Sequence, residues 1–248
     1  MSQNVVEQAV WTECVRTTLS FEEAVKHMRD GLATELSVVS DECLALALAK
    51  CALETGRWKS MYNWNWGNIR PTYAVPCQFA CFPICNEIEH DGKLRWYTPA
   101  GQVASRTDLA VIGKRYDVPP GHPSSRFMAY AGPTDGVYQY VDFMARGANG
   151  RFAPAFKRLT EGDAPGMVHA MKLARYMTAD EQLYARPVLA LQREFLGKLK
   201  GLPVEPYEPD DREYEALMAT TRGLSWHRTQ DELFGAADTG PSPPPDEA

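Results

Sequence analysis

The stretch from Ala52 to Arg70, ALETGRWKSMYNWNWGNIR, sets one carboxyl group, Glu54, directly before a Thr-Gly stop. One Tyr, two Trp and three Asn follow between positions 62 and 68. Apolar cores have little use for so many amides, and flexible loops have little use for indoles. A carbohydrate site uses both, with aromatic faces stacking on sugar rings and amides bonding acetamido groups. Cleaving a glycosidic bond needs a carboxylic acid that keeps its proton near neutral pH, which partial burial beside apolar groups promotes. Glu54 is the candidate acid, and Tyr62, Trp64, Trp66 and Asn68 are candidate sugar contacts. The residues alone leave two other readings open: a helix-end Glu in an ordinary exposed ion pair, and indoles packed in the core.

Such a carboxyl must stand at the end of a helix. Ser40 and Asp41 offer an N-cap and Gly56 a stop, so the spacing predicts a helix from about Glu42 to Thr55. Leu44, Ala47, Leu48, Cys51 and Ala52 make its buried stripe, and Glu54 projects at the margin in the last turn. Ser20 and Glu23 form a capping box opening FEEAVKHMRDGLA. Helical periodicity returns in GPTDGVYQYVDFMARG, FAPAFKRL, APGMVHAMKLAR and ADEQLYARPVLALQREFLGKL. After Arg70 the chain changes to Pro, Gly, aromatic and β-branched residues, the composition of an irregular lobe with a small sheet. Its clearest element is EIEHDGKLRWY, where Asp91-Gly92 reads as a two-residue hairpin turn. That turn sets His90 opposite Lys93, Glu89 opposite Leu94 and Glu87 opposite Trp96, with Glu87 and Glu89 on one face. GKRYDVPPGHPSS is a loop by its Pro and Gly content.

The chain has 248 residues, 44% of them apolar, and a net charge of −6. That is enough to bury a sizeable core. The segment from Leu202 to Ala248 alone carries −8, which leaves residues 1–201 slightly basic. No Lys and Arg cluster of the kind nucleic acid demands is present, nor a phosphate-binding loop. The longest apolar run, LALALAKCAL, is interrupted by Lys50 and is far short of the roughly 20 residues of a membrane span. MSQNVVEQAVWTECV lacks a basic segment and an apolar h-region, so export by a cleaved signal is not expected. Cys77, Cys81 and Cys85 are spaced wrongly for a paired zinc or iron-sulfur motif, and the histidines are scattered. Neither a metal nor a cofactor is expected. The extension reads as acidic and Pro-rich, with one helix near Asp211 to Thr221 and a disordered GPSPPPDEA end.

ALETGRWKSMYNWNWGNIR resembles the glucosaminidase family of peptidoglycan hydrolases, within the lysozyme-like superfamily, whose members end a helix on Glu-Ser/Thr-Gly before Trp, Asn and Gly. CNEIEHDGKLRWYTP is similar to its β-hairpin lobe, RFMAYAGPTDGVYQYVDFMA to its strand leading into a helix, and ARYMTADEQLYARPVLAL to its late Tyr-x-Thr-Asp-x-x-Tyr segment. The resemblance covers roughly Val38 to Leu199, with Phe127-Met128 replacing the usual Phe-Arg and PCQFACFPIC standing as an unusual insert.

The resemblance implies an α+β fold, mainly α: a lysozyme-like helical domain over residues 1–201, with N-terminal helices in 1–39 and a core in 40–201, and a small hairpin lobe flanking the groove. Residues 202–248 form the extension. It implies hydrolysis of the β-1,4 bond between N-acetylglucosamine and N-acetylmuramic acid, with Glu54 as acid. A second carboxylate falls on the hairpin, where Glu87 is preferred over Glu89, and some lysozyme-like enzymes work with one acid alone. Tyr176 is the late-motif Tyr that lines the cleft, and Trp96 joins the sugar contacts. Peptidoglycan strands are the expected partner, with neither nucleic acid nor membrane insertion. Without a signal, a phage or prophage lysin is expected, made in the cytoplasm and acting on the wall after release or from a particle. The alternative is a lysozyme-like, glycan-binding or structural particle component without turnover, docked to a scaffold through its extension.

Overall fold

Two serines start the helices that organise the chain. Ser20 Oγ accepts from the Glu23 amide at 3.2 Å while Glu23 Oε2 accepts from the Ser20 amide at 2.8 Å, closing the capping box at the head of α1, Phe21–Leu32. Ser40 Oγ accepts from the Cys43 amide at 3.1 Å to open α2, Asp41–Thr55, and Gly56 ends it in the left-handed conformation, φ 54°. The computed structural model describes residues 10–12, 14–69, 78–81, 85–88, 94–97, 126–177 and 180–208.

The remaining helices are α3 Pro133–Ala145, the single turn α4 Gly147–Gly150, α5 Ala153–Thr160, α6 Ala164–Leu173 and α7 Glu181–Leu199. All four downstream periodic segments are thus helical. Pro187 lies inside α7 without ending it. The strands are short: β1 Val10–Trp11, β2 Arg16–Thr17, β3 Met61–Tyr62, β4 Gln78–Cys81, β5 Cys85–Ile88, β6 Leu94–Tyr97 and β7 Arg126–Ala129. They form a three-stranded sheet ordered β1-β4-β7, parallel then antiparallel, and two antiparallel pairs, β2-β3 and β5-β6. The described chain is therefore mainly helical with few strands, an α+β arrangement weighted to α. No helix among the described residues is long and apolar enough to cross a membrane.

Helix α2 corrects the expected one-sided stripe. Every residue from Cys43 to Thr55 is buried. The helix is central, packed on α7 along its length and flanked by α1 and α5, and a helix enclosed on all sides is apolar on all sides. This burial takes in Lys50 and Glu54, at 0% and 6% exposure.

The hairpin register also differs from the expected one. Cys85 pairs with Tyr97, Asn86 with Trp96, Glu87 with Arg95 and Ile88 with Leu94. The pairing is slipped by one residue from that of a two-residue Asp91-Gly92 turn, so the connection is longer than a tight turn requires. Glu87 stands opposite Arg95 and not Trp96. Glu89, His90, the turn, the loop around Pro119 and the extension beyond Glu208 lie outside the described residues.

Candidate functional site

Glu54 occupies the last turn of α2, and the chain leaves that helix by an unusual path. Gly56, Arg57 and Trp58 are left-handed in succession, φ 54°, 54° and 61°, and Asn63, Trp64 and Asn68 follow at 47°, 55° and 50°. For Arg and Trp this backbone costs about 1–2 kcal/mol per residue, so each needs compensation. Arg57 obtains it from a two-pronged bond to Glu194 on α7, at 2.7 and 2.6 Å. Trp58 is 2% exposed and stacks on Phe195, 5.8 Å between ring centres. Trp64 presses its carbonyl against α3 where only a glycine fits: a Cβ on Gly136 would lie 2.0 Å from Trp64 O.

The three asparagines serve this path. Asn63 Oδ1 accepts from the Val15 amide at 3.0 Å. Asn65 Nδ2 donates to the Ile69 and Met128 carbonyls at 2.9 and 3.0 Å, and its Oδ1 accepts from the Ile69 amide at 2.8 Å. Asn68 Nδ2 donates to the Glu54 carbonyl at 2.6 Å, fastening the loop to the helix end. Its Oδ1 is buried and has no hydrogen-bond partner among the described residues.

Around the Glu54 carboxyl the structure gathers Lys50, Tyr176 and Tyr184. Tyr184, at 1% exposure on α7, donates its hydroxyl to Oε1 at 2.6 Å. Lys50, one turn earlier on α2, donates to the same oxygen at 3.1 Å and to the Tyr176 hydroxyl at 2.5 Å. Tyr176 in turn donates to the Gly67 carbonyl at 3.0 Å. The Lys50 ammonium also sits 4.3 Å from the centre of the Tyr176 ring. Burial is the largest single influence and works to lower the Lys50 pKa, but Glu54, Tyr176 and Cys51 together outweigh it and hold the pKa above the ordinary lysine range. Burial first, then the Glu54 charge, lifts the Tyr184 phenol well above its usual value, so Tyr184 stays a donor. Burial likewise pushes the Cys51 thiol up to about 12. No described residue hydrogen-bonds Oε2 of Glu54, whose side chain keeps 8% exposure.

Two expectations are corrected here. Glu54 is not set among apolar groups alone: the fourth residue before it is a buried lysine, and i,i+4 spacing brings the two heads together as an ion pair. Trp66 is not a sugar platform, because it is fully buried, edge-on to Trp58 at 6.5 Å, with Nε1 donating to the Pro133 carbonyl. Trp64 keeps partial exposure. Tyr62 is half-buried beside Phe127, with the Arg16 guanidinium 5.9 Å from its ring centre, and burial raises its pKa. Glu87 and Trp96 are described by strand pairing alone. Sequence reasoning named Tyr176 but passed over Lys50 and Tyr184. A lysine inside LALALAKCAL four residues before a glutamate was the available signal for the first.

Among the described residues no group of His, Cys, Asp and Glu is placed to hold a metal. No protein-family model matches this chain, and neither a curated protein nor a solved structure matches it.

Proposed function

We propose that this chain cleaves the β-1,4 glycosidic bonds of peptidoglycan, with Glu54 as the acting carboxyl. The observation that carries the reading is the carboxyl itself: buried at a helix end, with one oxygen fixed by two donors and the other without a donor among the described residues. With Lys50 and Tyr184 both donating to Oε1, a proton taken up by the group resides on Oε2, the oxygen left for a ligand. Donation from Oε2 to the bridging oxygen breaks the sugar C1–O bond, and the leaving chain keeps the electron pair as a hydroxyl. The carboxylate left behind already has its two donors in place, which is electrostatic preorganisation. Water then adds its oxygen to C1 and its released proton returns to Oε2, which restores the acid. The partly exposed Trp64 is the aromatic surface for a sugar ring, and a phage lysin is the setting this activity fits.

The Lys50–Glu54 ion pair favours a second reading, a glycan-binding particle component without turnover, since an ion-paired carboxylate carries no proton to give. Purified sacculi separate the two. Wild-type protein should release soluble muropeptides, and Glu54→Gln, checked for folding, should release fewer by at least about 100-fold. Binding to sacculi with no product by mass spectrometry refutes the enzyme reading and supports the other.

A further inference from the structure

Lys50 is completely buried in α2, where every residue from Cys43 to Thr55 is buried. An ammonium is removed from water at large cost unless its hydrogen bonds and charge are answered. Here they are answered by atoms of two separate elements. Glu54 Oε1 belongs to α2 itself, and the Tyr176 hydroxyl belongs to the segment before α7, where it reaches on to Gly67 of the left-handed loop. The other groups facing this ammonium and carboxyl are the phenols of Tyr140 and Tyr184 and the thiol of Cys51. Burial keeps all three protonated, so none of them adds a charge beside Lys50 and Glu54.

We infer that Lys50 is a positioning residue for the glycan cleavage proposed above: by holding Oε1 it fixes the rotation of the Glu54 carboxyl, presents Oε2 to the substrate, and registers Tyr176 against it. The inference rests on the reading of Glu54 as the acting carboxyl. A lysine that merely filled space would be replaced by methionine without affecting turnover, because methionine matches the length of its stem. A lysine that aims the carboxyl would not be, since small misplacement of a reacting group lowers rate by about 100-fold while leaving substrate contacts intact.

The test uses the full chain and soluble glycan strands prepared from peptidoglycan. Lys50→Met, confirmed folded by circular dichroism, should lose about 100-fold in kcat with KM within twofold of wild type. Unchanged kcat in folded Lys50→Met overturns the inference and leaves the proposed activity standing, whereas absence of cleavage by wild type defeats the activity itself. A second readout needs no turnover. In proton–nitrogen spectra selective for lysine ammonium groups, a buried, bonded Lys50 should give a slowly exchanging resonance that is absent from Lys50→Met and displaced in Glu54→Gln. A Lys50 resonance indifferent to Glu54→Gln overturns the inference, whether or not Lys50→Met folds.

Discussion

Replacing Glu54 by Gln should destabilise the protein, although removing a buried charge at an active site often does the reverse. The partner decides the sign. Gln keeps an acceptor for Tyr184 but leaves the Lys50 ammonium, 0% exposed, without its countercharge. Breaking a buried pair from one side costs about 3–5 kcal/mol. The penalty has a ceiling, because Lys50 can instead give up its proton. Relative to a lysine that titrates near 10.4 when unfolded, that costs about 1.4 kcal/mol per pH unit, hence about 4.6 kcal/mol at pH 7 and about 2 at pH 9. At about 2–4 °C per kcal/mol for a chain of this size, thermal unfolding at pH 7 should fall by about 6–18 °C. The sign with pH follows. In wild type the folded-state pKa of Lys50 is raised, so its stabilisation is fully present below about 10.4 and disappears only as pH rises through the folded value. In Glu54→Gln the deficit should instead shrink steadily between pH 7 and pH 9. Calorimetry across that range, with Lys50→Met/Glu54→Gln as the second variant, measures it, and the double variant should recover most of the loss. A Glu54→Gln protein as stable as wild type at pH 7, or a deficit insensitive to pH, refutes the account of the pair.

Other outcomes follow from geometry. Gly136→Ala forces a Cβ to within 2.0 Å of the Trp64 carbonyl and should destabilise by about 3 kcal/mol in urea titration, while Gly132→Ala, with nothing within 4 Å, should change little. Burial alone would raise the Glu194 pKa, but Arg57, Lys198 and the Tyr207 amide hold it at about 2. Its stabilisation is present above the unfolded carboxylate range and fades as pH falls from about 4.3 towards 2; allowing for solvent at the cationic heads, about 2 kcal/mol should disappear in acid unfolding, and less in Glu194→Gln. Burial pushes the Cys43 and Cys51 thiols to about 11 and about 12, so both should resist a water-soluble disulfide reagent until the chain is denatured, as mass-resolved labelling would show.

Much of the helical framework is legible in local chemistry. The Ser20 and Ser40 caps, the Gly56 stop and the four downstream periodic segments act within a few residues of themselves, and the structure places helices at each. The site was only half legible, because its logic is tertiary. Glu54, Tyr176 and Asn68 meet, yet Asn68 spends an amide hydrogen on the backbone of the helix end. Trp66 could not be told from Trp64 by type or spacing: along the loop between α2 and α3 Trp64 is left-handed and keeps partial exposure, whereas Trp66 is fully buried. Lys50 read as a flaw in an apolar run because its two answering groups lie 4 and 126 residues away. The hairpin slip came from assigning the turn by its Asp-Gly pair alone, when the length of a connection and its flanking pairs jointly set register.

The segment after α7 bears on how this chain could be trimmed. Tyr207 gives its amide to Glu194 and its carbonyl to Arg57, and Val204 packs over Gly197. The eight residues past the last helix thus act as a strap buckled to the guanidinium of Arg57, in the turn that follows Glu54. A protein shortened at residue 201 would unbuckle it and slacken that turn from a distance, whereas one shortened after Glu208 would keep the fastening.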